Sequence, residues 1–203
     1  MGYGFNIPLT PRNNIIISDY AVPRHLDLGI RYMIDEYLGL KVHYARDRFQ
    51  DINDKNVGNS YHRLSIEAVF NITGGLKLYS NDFNMIFHGG VGITHAYPES
   101  IRRFENGGEF TFGLTPYGTK PYERIGNIIL GLTPKYRFSD KMAFSFDVAY
   151  IINTQQQYDY SGELMYISRR KVRGSFLNFS VGVQYYLGKK RRHADWHNGG
   201  RKN

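Results

Sequence analysis

Apolar residues recur at every second position through most of this chain, in runs broken by polar stretches rich in Gly, Asn and Arg. That period belongs to β-strands whose two faces meet different surroundings. Residues 177–187 show it most cleanly: Leu177, Phe179, Val181, Val183, Tyr185 and Leu187 alternate with Asn178, Ser180, Gly182, Gln184 and Tyr186. In 142–153, Met142, Phe144, Phe146, Val148, Tyr150 and Ile152 oppose Ala143, Ser145, Asp147, Ala149, Ile151 and Asn153. In 127–138, Ile128, Leu130, Leu132, Tyr136 and Phe138 oppose Asn127, Gly131, Thr133, Lys135 and Arg137, with Ile129 and Pro134 as exceptions. Further sets are Met85, Phe87, Val91 and Ile93; Leu64, Ile66, Ala68, Phe70 and Ile72; and Leu38, Leu40, Val42 and Tyr44. Leu26, Leu28, Ile30, Tyr32 and Ile34 make another, and Tyr3, Phe5, Ile7 and Leu9 a weaker first one. The pattern therefore predicts eight strands. An even count lets an antiparallel sheet close on itself and lose both edges.

The connections alternate as well. Asp35-Glu36, Thr73–Asp82 and Ser139-Asp140-Lys141 are short or compact, whereas 10–23, 50–61, 97–124 and 154–173 are long and polar. Outer-membrane barrels keep short turns on the periplasmic side and long loops outside. A soluble ligand-carrying barrel would alternate too, with its polar set facing water. The small residues argue against that: Gly29, Gly39, Ala45, Gly90, Gly92, Gly131, Ala143, Ala149 and Gly182 all share the polar face. Exposed strand surface avoids Gly, while an eight-stranded interior is only wide enough to be filled by side chains. The same face carries Asp27, Asp47, Glu67 and Asp147 against Arg31, Lys41, Arg63, Lys135 and Arg137. These nine residues are expected to form a lumen-facing charge network, since buried charges must pair. Five bases to four acids implies that each acid meets more than one base. Tyr32, Tyr37, Tyr44, Tyr136, Phe138, Tyr185 and Tyr186 gather toward strand ends, as rings at a membrane interface do.

Composition narrows the picture further. The 203 residues include 17 Tyr, 13 Phe and 22 Gly, a balance that favours strands and bends. There is no Cys, which excludes disulfide scaffolds, thiolate metal sites and Cys nucleophiles. Apolar runs such as Ile15-Ile16-Ile17 fall far short of the ~20 residues of a spanning helix, but a spanning strand needs only about 9–11. The net charge of +8 is largely a property of the end: Lys189, Lys190, Arg191, Arg192, Arg201 and Lys202 against Asp195 supply +5 of it. A nucleic-acid partner is accordingly not expected.

Site chemistry is sparse. Asp51, Asn53 and Gly58 resemble a calcium loop, but the twelfth position is His62 rather than Glu. His193 and His197 have helical ligand spacing without a third ligand, so no metal or other cofactor is expected. Asn71-Ile72-Thr73 and Asn178-Phe179-Ser180 match a glycosylation pattern by chance, on strands or turns. Ser60, His62, His95 and Ser100 lie at the predicted outer rim without any catalytic motif around them, so no catalytic residue is assigned. Arg102, Arg103, Arg169, Arg170, Lys171 and Arg173 fall in or beside the long loops and are candidate contacts for lipid headgroups, lipopolysaccharide included.

The stretches Leu26-Asp27-Leu28-Gly29-Ile30-Arg31-Tyr32-Met33, His88-Gly89-Gly90-Val91-Gly92, Gly131-Leu132-Thr133-Pro134, Tyr185-Tyr186-Leu187-Gly188-Lys189-Lys190 and His193-Ala194-Asp195-Trp196 resemble the N-terminal transmembrane domain of outer-membrane protein A (OmpA)-like proteins of Gram-negative bacteria. The resemblance covers 1–196. It implies an eight-stranded outer-membrane barrel that ties the membrane to the cell wall, with little enzymatic chemistry. In that family a peptidoglycan-binding domain follows, so peptidoglycan would be reached only through a domain absent from this chain. The start, Met1-Gly2-Tyr3-Gly4, lacks a secretory leader, and a processed or incomplete form is expected.

The expected architecture is thus all-β: an eight-stranded antiparallel transmembrane β-barrel over 1–188, with short periplasmic turns and long extracellular loops. A basic periplasmic tail or linker, 189–203, follows it. The expected role is structural, anchoring the envelope or docking with other outer-membrane or periplasmic proteins, with the lumen plugged by paired charges. A small-solute channel is the alternative. Removing Glu67 is expected to let ions leak through such a plug.

Overall fold

A computed structural model describes residues 1–11, 17–21, 23–53, 58–78, 80, 82–98, 122–162, 172–187 and 194–196. Eight strands close into a ring in sequence order: β1 (Gly2–Thr10), β2 (His25–Met33), β3 (Leu38–Gln50), β4 (Gly58–Asn71), β5 (Phe83–Pro98), β6 (Glu123–Ser139), β7 (Met142–Gln156) and β8 (Val172–Tyr185). Every neighbouring pair is antiparallel, and β1 closes the ring on β8 from Gly2↔Gly182 to Thr10↔Ser175. The β1–β2 ladder is brief, Gly2↔Asp27 to Gly4↔His25, so the lower part of β2 extends past the start of β1.

The short connections are built by local hydrogen bonding. Between β2 and β3 the Asp35 carboxylate accepts the N–H groups of Tyr37 and Leu38, both at 2.7 Å. The Leu38 and Tyr37 N–H bonds favour the carboxylate and lower its pKa below the usual value. Between β4 and β5 a single helical turn, α2 (Ile72–Gly75), is capped by Asn71, whose side chain accepts the Gly74 N–H at 3.0 Å. A second short turn, α1 (Ile17–Tyr20), lies in the first long connection and delivers Tyr20 to the interior.

The strands run longer at the long-loop end than the alternation suggested: β6 begins at Glu123 and β7 continues to Gln156. The reason is visible in the side chains. Through the lower and middle barrel the outward residues are Leu28, Ile30, Val42, Ile66, Val91, Leu130, Phe146 and Val181, all exposed. Near the long-loop end the polarity of the faces inverts. Arg46 and Arg124 point outward there, while Phe49, Tyr61 and Ile125 are buried inside. A spanning strand needs only about 9–11 residues, so the 16 of β5 and 17 of β6 reach beyond the hydrocarbon into water.

Candidate functional site

Among the described residues the lumen gathers a dense set of ionisable groups, and it is organised in three levels. At the long-loop end, rings contributed by strands and loops meet. Phe49 packs on Tyr160 with centroids 4.5 Å apart, on Phe176 at 5.1 Å and on Tyr61 at 5.3 Å. Tyr160, from the β7–β8 connection, donates its hydroxyl to the backbone carbonyls of Ser175 (2.8 Å) and Thr10 (3.0 Å). Burial pushes this phenol well above its ordinary pKa, keeping it a donor. Ile125, Ile129 and Ile151 join the same cluster. Ile129 and Ile151, which broke or blurred the alternation, are therefore inward residues recruited to an apolar layer.

Beneath that layer lie the strand charges. Asp47 is fully buried and sits 2.6 Å from His25 Nδ1 and 3.0 Å from Arg63. Asp27 accepts the Ser180 hydroxyl at 2.7 Å and lies within 3.7–3.9 Å of His25 and His43. Glu67 is ringed by Ser65 (2.6 Å), His88 (2.6 Å), Lys41 (3.4 Å) and His43 (3.4 Å). His88 also reaches Asp147 at 3.0 Å, and Thr133 donates to the same carboxylate oxygen at 2.5 Å. Gly131 makes this bridge possible, because a Cβ there would collide with the His88 ring. The lumen glycines thus leave room for larger inward neighbours.

The lowest level comes from outside the strands. Residues 194–196 form a single 3₁₀ turn that buries Asp195 and Trp196 against the short-turn mouth. Asp195 receives both terminal nitrogens of Arg31, one at 2.9 Å, the Lys135 ammonium at 3.2 Å and the Tyr186 hydroxyl at 3.1 Å. Its backbone carbonyl accepts from Asn84 at 2.7 Å. Trp196 meets Tyr186 edge-on at 6.2 Å, and the Arg137 guanidinium lies 5.4 Å from the indole centroid. Between the charged and lowest levels remains a cavity of about 410 Å³, lined by Asp27, Lys41, His43, His88, Lys135 and Asp147 among others.

All nine residues expected in the lumen network face inward, but their pairing differs from the expected one. Arg31 and Lys135 both pair with Asp195, not with a strand acid. Arg137 stands at the rim, 3.9 Å from the exposed Asp82 and over Trp196. Three histidines, His25, His43 and His88, supply much of the remaining partnership. Sequence reasoning missed their role and that of the inward Glu123, which accepts the Gln157 N–H at 2.9 Å. The signal was available, since His43, His88 and His25 share the parity of the inward set. Tyr186 is a correction too: it is buried in the mouth with its hydroxyl on Asp195, not placed in an interfacial belt. Among the proposed headgroup contacts, Arg173 is exposed near the start of β8, while Arg102, Arg103, Arg169, Arg170 and Lys171 lie outside the described residues. So do Ser100, His193 and His197. Among the described residues no group of three potential ligands is placed to hold a metal.

A closed ring with an apolar exterior and a charged, filled interior inverts a soluble barrel and defines an outer-membrane-type β-barrel. No protein-family model matches the chain, and no curated protein matches it. Among solved structures it is similar to the crystal structure of Ail, the attachment invasion locus protein of Yersinia pestis, at 13% identity and a TM-score of 0.48, covering 91% of this chain and 93% of that one. It is also similar to the backbone structure of the Yersinia pestis outer membrane protein Ail in a phospholipid bilayer nanodisc, at 14% identity and a TM-score of 0.40, covering 91% and 96%. The resemblance to OmpA-like barrels rests on the short motifs quoted above.

Proposed function

We propose that this protein is a structural barrel of the bacterial outer membrane, with a lumen closed to solutes, that anchors the envelope or docks into a larger assembly. The observation that carries this reading is the layer of Phe49, Tyr61, Tyr160 and Phe176. Close-packed rings hold no water column, and the paired charges beneath them line a cavity that lies below the ring layer. Wide aqueous pores come with about 16 strands or more. The lipid of the outer membrane, lipopolysaccharide included, is the immediate partner, and other outer-membrane or periplasmic proteins are the partners for docking. No catalysis is assigned to it. Planar-bilayer recording tests the reading: the folded protein should be nearly silent, and a large, steady conductance would replace it with the small-solute channel.

A further inference from the structure

The described strands carry five acidic residues, Asp27, Asp47, Glu67, Glu123 and Asp147, and every one of them faces the lumen. The outward face carries charge of one sign only: Arg46, Arg48, Arg124 and Arg173, all toward the long-loop end. This separation has no role in the lumen plug, and it places cations on the lipid-facing side.

Two of these arginines belong to a continuous stripe. The ladders pair Arg46 with His62, His62 with His95, and His95 with Arg124. Four outward side chains able to carry positive charge therefore stand side by side on β3, β4, β5 and β6, over roughly 14 Å at ordinary strand spacing. The stripe climbs toward the long-loop end as it crosses the sheet. Arg46 is four residues short of the end of β3, whereas Arg124 is the second residue of β6. Directly below it on the same face come Tyr44, Leu64 and Ile93, then Val42, Ile66, Val91 and Ile128. The stripe thus marks the line at which the aliphatic surface ends.

Aromatic contacts order its members. The Tyr44 hydroxyl lies 2.7 Å from His62 Nδ1, and Tyr97 meets the His62 ring edge-on at 5.7 Å. Tyr122 stacks on His95 at 6.1 Å, and the Arg124 guanidinium lies 5.8 Å from the Tyr122 centroid. Tyrosine rings suit the boundary between hydrocarbon and headgroup, and the long Arg46 stem can lift its guanidinium to that level. Guanidinium groups bind phosphate oxygens through paired N–H donors, and imidazole adds a further donor.

We propose that Arg46, His62, His95 and Arg124 form a binding stripe for the phosphate groups of lipid headgroups in the leaflet facing the long loops. This rests on the membrane reading given above and adds a defined lipid site to it.

The test uses the folded protein in phosphatidylcholine bilayers, with spin-labelled phosphatidic acid compared against spin-labelled phosphatidylcholine. The motionally restricted fraction of each label reports its association with the barrel. The unmodified protein should prefer phosphatidic acid. R46Q/R124Q should lose most of that preference, by up to about fivefold per arginine removed. R46K/R124K, which keeps the charge, should retain part of it, and K77Q, in the turn at the opposite rim, should retain all of it. If R46Q/R124Q does not fold, R124Q alone decides, since it changes only a strand end. An unmodified barrel without preference, or equal preference after R46Q/R124Q or R124Q, overturns the stripe and leaves the membrane reading intact. A protein that enters neither bilayer overturns both.

Discussion

Asp195 and Arg31 are 164 residues apart in sequence and meet through both guanidinium nitrogens and both carboxylate oxygens. Lys135 shares the same carboxylate from the far side of the mouth. One acid from beyond the last strand therefore pairs with two of the lumen's bases, and the segment expected to be tail or linker is in part a stopper.

Replacing Asp195 by Ala should destabilise the barrel by about 3–5 kcal/mol, because Arg31 and Lys135 then remain buried without a counter-charge. Urea unfolding of the protein in detergent measures this. Trp196 should respond in the same experiment, its fluorescence shifting toward that of a solvent-exposed indole as the turn loses its anchor. An unchanged midpoint and spectrum would show that residues 194–196 are not held as described.

Glu67→Ala should also cost about 3–5 kcal/mol, since Lys41, His43 and His88 lose the buried carboxylate they share. Ion leakage is a separate matter. The ring layer formed by Phe49, Tyr61, Tyr160 and Phe176 lies above Glu67 and is untouched by the change. Glu67→Ala alone should therefore stay silent in planar bilayers, contrary to the expectation from charge pairing alone. Current should rise only when Phe49→Ala and Phe176→Ala are added.

Val181 is exposed on the outward face and registers with Phe146 on β7 and Tyr3 on β1. Val181→Arg or Phe146→Arg should destabilise the inserted barrel by about 2–4 kcal/mol if these sites lie near the bilayer midplane. The inward neighbour Gln184 is the control. Equal tolerance to Arg at 181 and 184 in a bilayer-folding titration would reverse the assigned orientation.

Asp35 gives a pH-dependent prediction. Its carboxyl is held low by the Leu38 and Tyr37 N–H groups, so its contribution to the β2–β3 turn is full above the unfolded-state pKa of about 3.9. It fades as pH falls through the lower folded value. A titration of the Asp35 carboxyl carbon by NMR should show a midpoint below that of a free aspartate. A midpoint at or above the free value would remove the capping bonds from the account.

Alternation was legible in the sequence because it is a local property. Neighbouring side chains on a strand must point to opposite faces, and a one-residue slip would expose the whole lumen set. The eight strands, the alternating loop lengths and the inward direction of residues such as Asp47, Glu67 and Lys135 follow from that rule. Pro134 was tolerable for the same reason: it is one residue within a pattern that its neighbours Thr133 and Lys135 maintain. Which inward groups touch is a different kind of fact, set by how far each ladder is staggered when the ring closes. Closure brings Glu67 of β4, His88 of β5 and Asp147 of β7 within hydrogen-bond reach. It also gathers Phe49, Tyr61, Tyr160 and Phe176 into one layer where the polarity of the strand faces inverts. The return of Asp195 depended on an unmet need, two buried bases at the mouth without a strand acid near them. No periodicity records such a need, because burying a charge becomes costly only once the barrel around it exists.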